Sequence, residues 1–173
     1  MEDLRQKVYD DRNILKKLGG YIPGWSGYQN KEMRRDADKL LRLYLARQFG
    51  DQRNRLNEIS VQLASSGNLK AVGELERAAI KLQTLVDRLK TASYGHAGFF
   101  DALTVREDDL DAIYNYDNSL ADGVTLLTDA LSALSSAVAA KEGVEAAVTA
   151  LIGNIDQVTL TYNGRQDVIL KGP

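Results

Sequence analysis

Residues 110–138, "LDAIYNYDNSLADGVTLLTDALSALSSAV", carry the pattern that decides the fold. Apolar positions recur there at alternating intervals of three and four residues, which places them on one side of an α-helix. These positions, which we call the seam, are Leu110, Ile113, Asp117, Leu120, Val124, Leu127, Leu131, Leu134 and Val138. A seam of this kind is typical of a helix in a bundle or in a coiled-coil pair.

Weaker stripes of the same spacing lie on both sides of the seam and predict further helices. They cover residues 2–18, about 30–65, about 69–92 and from 144 onward. Residues 156–170 are ambiguous, because Asn163–Gly164 between β-forming residues is a hairpin signal. Val158, Tyr162 and Ile169 also share one helical face, and a lone hairpin is marginally stable. We favour a helix there and keep a C-terminal hairpin as the alternative.

Short connections between these segments predict antiparallel neighbours. The sequence therefore predicts an all-α fold, an antiparallel up-down bundle of four to five helices of which two are long. We expect residues 1–173 to form one domain, because the length suits a single core and no linker interrupts it.

The composition is that of an ordinary globular protein, with 44% hydrophobic and 27% charged residues. Cysteine is absent, so thiolate metal sites and thiol nucleophiles are excluded. The charged N-terminus does not resemble a signal peptide, and we noted no apolar run of the roughly 20 residues that a membrane span needs. We expect a cytoplasmic protein without a transmembrane segment.

Charge is distributed unevenly along the chain although the net charge is only −2. Residues 1–105 hold 18 basic and 13 acidic side chains, whereas residues 106–173 hold 4 and 11. The low net charge argues against a nucleic-acid partner. The asymmetry indicates that the two halves pack together with complementary charge, and a polar surface for a partner is the alternative.

Two loops rich in aromatic residues and glycine should meet at one end of such a bundle. They are "YIPGWSGYQNKEMRRD" (21–36) and "YGHAGFF" (94–100). Aromatic and arginine side chains are enriched at interface hot spots, so this aromatic end is the candidate binding surface. Its members are Trp25, Tyr28, Arg34, Arg35, Tyr94, His96, Phe99 and Phe100. The competing interpretation is that these residues only plug the end of the bundle.

Catalytic and metal-binding patterns are weak. His96 is the sole histidine and lies in a loop, which argues against a di-iron bundle, and no glycine-rich phosphate loop is present. We therefore predict no catalytic residue, no metal and no cofactor.

Asp117 interrupts an otherwise aliphatic seam. A buried carboxylate needs a partner, and counting helix rise from the opposite end of the bundle places Asp117 level with Tyr44 and residues 94–98. We predict that it accepts hydrogen bonds from His96, from the Tyr44 hydroxyl or from backbone N–H groups of that loop. The alternative is that a bend turns Asp117 toward solvent.

Together, "IPGWSGYQNKEMRRD" and "YGHAGFFDA" resemble a family of bacterial cytoplasmic helical proteins over about residues 21–120. The resemblance implies an all-α fold and no activity. We expect a non-enzymatic interaction or scaffold protein that uses the aromatic end to bind an unknown protein partner, with self-association as a second use of its helices. The alternative is a small-ligand-binding protein or an enzyme with its site between residues 21–35 and 94–105.

Overall fold

A computed structural model of the chain describes residues 16–28, 33–92, 99–100 and 106–171. Residues 16–21 are helical, and we call them α1; most of the helix predicted over residues 2–18 lies outside the described residues. Four long helices follow: α2 (Arg34–Ser65), α3 (Leu69–Thr91), α4 (Glu107–Ala140) and α5 (Val144–Lys171). No strand occurs in the described ranges, and the predicted all-α bundle is confirmed.

The four long helices form two antiparallel pairs that pack face to face. The pair α2–α3 and the pair α4–α5 make the largest contacts, and α2 also packs on α4 and α3 on α5. Helices α3 and α5 run parallel, because Lys70 pairs with Glu145 near their starts and Lys81 with Asp156 further along. The N-termini of α2 and α4 therefore lie at the end of the bundle where α3 and α5 end.

Local sequence explains the two tight connections. Asn68 caps α3, as its side-chain oxygen accepts a hydrogen bond of 3.2 Å from the Ala71 amide. Gly67 before it has a φ of 82°, which glycine adopts without strain. Between α4 and α5, Lys141 and Gly143 take φ angles of 57° and 70°. Both turns thus reverse the chain within a few residues.

The alternative of a C-terminal hairpin is wrong, since α5 continues unbroken to Lys171. Asn163 is held in the helix by the Arg88 guanidinium, which donates to its side-chain oxygen at 2.8 Å. Gly164 leaves room for the ring of Tyr116, which lies 2.7 Å from where a Cβ would be. Tertiary packing thus uses the two residues that locally indicate a turn.

Seam positions of α4 face the core as expected. Leu120, Leu127, Leu131 and Leu134 are fully buried. Three other aliphatic seam positions, Leu110, Val124 and Val138, are half-buried. The seam packs against Val148, Leu151, Ile155 and Val158 of α5 within the same core. The seam therefore buries a helix of the same chain, α5.

Helix α4 also has the length and composition of a membrane span. Among the described helices it alone contains an 18-residue window with a mean hydropathy of 1.4, and 22% of that window is buried in the bundle. The same property is common in core helices of globular proteins, so the expectation of no transmembrane segment stays a prediction.

Candidate functional site

The two aromatic loops meet at one end of the bundle, as predicted. The ring of Tyr28 stacks on that of Phe100 with centroids 5.1 Å apart. Tyr28 also lies 5.1 Å from the ring of Tyr114 on α4 and 5.8 Å from Trp25. Phe99 meets Phe100 edge to face at 5.0 Å. Five aromatic rings therefore form one connected cluster over the starts of α2 and α4.

This aromatic cluster belongs to the core and not to the surface. Trp25 is 7% exposed, and Tyr28, Phe99 and Phe100 are 2% exposed or less. Arg34 is also buried, whereas Arg35 is exposed. Tyr94 and His96 lie outside the described residues. The described aromatic members, Trp25, Tyr28, Phe99 and Phe100, thus offer little area to a partner, because they fill the gap between the ends of the helices.

Hydrogen bonds fix the loop before α2 to the helices beneath it. The Trp25 indole N–H donates to the Ala37 carbonyl at 3.1 Å, and the Tyr28 amide donates to the Tyr114 hydroxyl at 2.6 Å. The Arg34 Nε donates to the Tyr28 carbonyl at 2.7 Å. Each of these groups is buried, and leaving any of them without a hydrogen-bond partner would destabilise the fold.

A buried polar cluster lies directly under the Tyr28 ring. Asp117 on α4 has no exposed surface, and its carboxylate accepts one hydrogen bond from the Tyr28 hydroxyl at 2.8 Å and one from the Arg165 Nε at 2.5 Å. Arg165, on α5, is the largest fully buried side chain among the described residues. Asp117 is therefore buried and paired.

The partners of Asp117 differ from those expected. Tyr44 is half-buried and is not among them, and residues 94–98 lie outside the described residues. Our count of helix rise assumed that the carboxylate would reach the nearest loop. The guanidinium of Arg165 reaches across the core instead, and its planar donor fork suits a carboxylate better than a single hydroxyl does.

The polar cluster continues from α5 to α2 and α3. Arg165 Nη2 donates to Asp38 at 2.8 Å and to the Tyr28 hydroxyl at 3.1 Å. Asp38 accepts a second hydrogen bond from the Arg42 Nε at 2.8 Å, and Arg42 Nη1 donates to the Leu89 carbonyl in the last turn of α3. The cluster therefore joins all four long helices and the loop that holds Tyr28.

Burial dominates the electrostatics of this cluster. It raises the pKa of Asp117 from 3.8 to about 6, against the lowering effects of Arg165 and the Tyr28 hydrogen bond. Burial, and then the charge of Asp117, also raise the pKa of the Tyr28 hydroxyl well above its ordinary value. The Tyr28 hydroxyl thus keeps its proton at physiological pH and donates a hydrogen bond to Asp117.

Two arginines of this end keep a donor without an acceptor. The Nη1 atoms of Arg34 and Arg165 are buried and have no hydrogen-bond partner. Neither atom meets a protein acceptor, so each suits a buried water or a small anion. In the described part of the chain, no three His, Asp or Glu side chains are grouped as metal ligands.

Asp38, Arg42 and Arg165 were missed at the level of sequence. Arg42 is 5% exposed, although Arg35 and Lys39 on the same helix are exposed. The signal for Arg165 was present, because it occupies the helical stripe between Tyr162 and Ile169 just as Asp117 occupies the seam of α4. Two opposite charges on the buried faces of adjacent helices indicate a pair.

A second candidate site is a groove on the outer side of α2 and α3, with a volume of about 390 Å³. We call it the α2–α3 groove, and it is lined by Leu43, Ala46, Arg47, Gly50, Asp51, Arg53, Asn54, Gln83, Val86 and Lys90. Its exposed apolar surface comes from Leu43, which is 45% exposed, whereas Ala46 and Val86 beneath it are buried. Three cations and one carboxylate surround it, so the groove is basic.

The cations of this groove differ from three exposed lysines that pair with the acidic helices. Lys17, Lys70 and Lys81 pair with Asp122, Glu145 and Asp156 of the acidic pair α4–α5. Arg47, Arg53 and Lys90 form no ion pair with any described residue, and the Arg53 Nε is buried without an acceptor. The complementary packing of the two halves therefore leaves positive charge at this groove.

A smaller groove of about 220 Å³ lies between α3 and α5. Its charged members are already paired, since Lys81 contacts Asp156 at 2.6 Å and Arg88 contacts Asn163 and Gln166.

No protein family, curated protein or solved structure matches this chain. Function must therefore be argued from the geometry.

Proposed function

We propose that this protein is a non-enzymatic helical interaction protein that binds an acidic segment of a partner in the α2–α3 groove. The observation that carries the proposal is a set of three cations, Arg47, Arg53 and Lys90, that form no ion pair with a described residue and surround the exposed side chain of Leu43. Apolar contact at the centre and charge pairs at the rim are the usual arrangement of a helix bound in a groove.

The buried polar cluster supports this function indirectly. It fixes the relative positions of α2 and α3 through Arg42, which bridges Asp38 and the Leu89 carbonyl. A rigid groove binds with a smaller loss of side-chain and backbone entropy than a mobile one. In this proposal the aromatic end only closes the bundle, and the binding surface lies along the side of the bundle, between α2 and α3.

The test is fluorescence anisotropy with a labelled helical peptide that carries Leu and Glu four residues apart, beside a copy with Lys in place of Glu. We expect the Glu peptide to bind and the Lys peptide not to. The affinity should fall with added salt. Arg47→Glu with Lys90→Glu should weaken binding by at least about tenfold, a loss of about 1.4 kcal/mol.

Arg77→Glu with Lys39→Glu is the matched control, because both residues are exposed outside the groove and the pair undergoes the same charge change. Gly50→Leu separates folding from binding. A Cβ at Gly50 meets no atom within 4 Å, so leucine should fold normally while filling the groove. Equal affinity for both peptides, or equal binding by the wild type and Gly50→Leu, would count against the proposal.

A small anionic ligand at the aromatic end is the second candidate function, in keeping with a ligand-binding protein or an enzyme. It is favoured by the buried, unpartnered Nη1 atoms of Arg34 and Arg165. Thermal unfolding in chloride, acetate and phosphate at matched ionic strength tests it. A rise in Tm specific to one anion, lost in Arg34→Gln, supports this candidate, and equal shifts in both proteins oppose it.

A further inference from the structure

The bundle has one basic and one acidic side. Residues 33–92, which contain α2 and α3, hold 12 basic and 7 acidic side chains, whereas residues 106–171, which contain α4 and α5, hold 4 and 11. Because α2 packs chiefly on α3 and α4 on α5, this imbalance in sequence becomes an imbalance between two sides of the molecule. Each molecule therefore carries both members of a complementary pair of surfaces.

The outer face of α4 presents an acidic stripe with an apolar centre. Asp122, Leu126 and Asp129 follow one another at intervals of four and three residues and share one helical face. Leu126 is 51% exposed, and Asp129 is exposed with no ion pair to a described residue. We call these three residues the α4 stripe.

Dimensions of the α4 stripe match those of the α2–α3 groove. Asp122 and Asp129 are seven residues apart, which is about 10 Å along a helix. Arg47 and Arg53 are six residues apart on α2, which is about 9 Å. Leu43, which is 45% exposed, provides apolar surface at the groove for a leucine side chain.

From this match we infer that the α2–α3 groove binds the α4 stripe of a second copy of this chain. Leu126 of the second copy enters the apolar part of the groove, and Asp122 and Asp129 pair with Arg47, Arg53 and Lys90. The pair of Asp122 with Lys17 is exposed, so exchanging it costs at most about 1 kcal/mol. This inference rests on the proposed function, because it names the partner of the same groove.

Groove and stripe are different surfaces, so the contact is heterologous: each molecule can bind one neighbour through each surface. Sedimentation velocity of the full chain measures the assembly. We expect the mean mass to rise above the 19.1 kDa of a monomer as protein concentration increases in low salt. At about 0.5 M salt, where charges are screened within a few ångströms, the mass should return toward that of the monomer.

A mixing experiment gives the decisive result. Arg47→Glu/Lys90→Glu reverses the charge of the groove and keeps the stripe. Leu126→Ser/Asp129→Asn removes the stripe and keeps the groove, and it adds no cation that the reversed groove could bind. We expect each double variant alone to be a monomer, because one half of every contact is missing. An equimolar mixture should form a dimer of one copy of each and nothing larger, since the remaining groove and stripe are used once.

Leu160→Ser on α5 is the control for the stripe, because Leu160 is 63% exposed and lies outside it. It should assemble like the wild type. A wild type that stays monomeric at every concentration in low salt overturns the inference, and so do double variants that assemble unmixed. If the wild type is monomeric yet binds the Glu peptide, the proposed function stands with a different acidic partner. If the wild type neither assembles nor binds the Glu peptide, both proposals fail.

Discussion

At the scale of single residues, the buried pair Asp117–Arg165 explains how charged side chains can occupy core positions of a helical bundle. Each would cost several kcal/mol alone. Each is paired with the other, Asp117 also with Tyr28 and Arg165 also with Asp38, and only the Arg165 Nη1 keeps no acceptor. A buried pair of this kind stabilises the fold little over a hydrophobic pair of equal size. It does, however, penalise any arrangement of helices that separates the two charges.

The first prediction concerns Arg165. Arg165→Met should lower the free energy of unfolding by about 3–5 kcal/mol, because it leaves Asp117 and Asp38 without their shared cation. Denaturation in urea measures the change. The double variant Arg165→Met/Asp117→Leu should be more stable than Arg165→Met alone, as the uncompensated Asp117 carboxylate is then gone. A double variant that is less stable than either single one would contradict this account.

The second prediction is a pH dependence. Since burial raises the pKa of Asp117 to about 6, the folded protein binds the proton more tightly than the unfolded chain does. The contribution of Asp117 to stability is therefore fully present below the pKa that this carboxyl has in the unfolded chain. It is lost as the pH rises through the pKa that the carboxyl has in the folded protein. Between about pH 4 and 6 this loss should reach about 3 kcal/mol.

Asp117→Asn is the reference for that measurement, because it has no proton to lose. We expect the free energy of unfolding of the wild type, minus that of Asp117→Asn, to decrease over this range. Urea denaturation at several pH values tests it. A difference that increases with pH would show that Arg165 outweighs burial at this carboxylate.

At the scale of helices, the close approach of α4 and α5 depends on glycine. A Cβ at Gly123 would lie 2.7 Å from the Cγ2 atom of Val158, and Val158 is buried and stiff at χ1. Helix α5 therefore packs on α4 more closely than any side chain at position 123 permits. The same contact places Arg165 and Asp117 within hydrogen-bonding distance two turns further along.

The third prediction follows from this packing. Gly123→Ala should lower the free energy of unfolding by about 1–3 kcal/mol through overpacking, despite the better helix propensity of alanine. Gly153→Ala on α5 is the control, because a Cβ there meets nothing within 4 Å. It should raise stability by up to about 1 kcal/mol. Thermal unfolding of both variants would show whether the two changes have opposite signs.

At the scale of the whole molecule, one end of the bundle is closed by a segment that lies outside the four long helices. Residues 16–28 cover that end, with Leu18 and Ile22 fully buried and Tyr28 bonded to the polar cluster. The Lys17–Asp122 ion pair holds the outer edge of the same segment on α4. Tyr28 is therefore the residue through which this segment is joined to the core.

The fourth prediction tests that closure. Tyr28→Ala should release residues 16–28 while most of the helical circular dichroism remains, because α2 to α5 keep their mutual contacts. Trp25 is the only tryptophan, so its fluorescence reports on this segment alone. We expect its emission to shift to longer wavelength as the indole enters water. Tyr21→Ala, at a position 44% exposed, should leave the emission unchanged.

Sequence by itself determined the elements of this protein and their order. The three-and-four spacing of the seam required a helix with one buried face, and short turns at Gly67 and Gly143 required antiparallel neighbours. Lengths and connections also placed the two aromatic loops at one end, and the contact of Tyr28 with Phe100 confirms this. These features depend on periodicity and chain direction, which are local properties of a sequence.

Tertiary structure alone decided which side chains meet. Asp117 pairs with Arg165, 48 positions away, because α4 and α5 pack closely at Gly123 and no local pattern sets that distance. Asn163–Gly164 is helical because Arg88 and Tyr116 occupy the space around it. The aromatic residues are buried and the α2–α3 groove is open for the same reason: burial depends on what the rest of the chain covers, and long-range packing decides that.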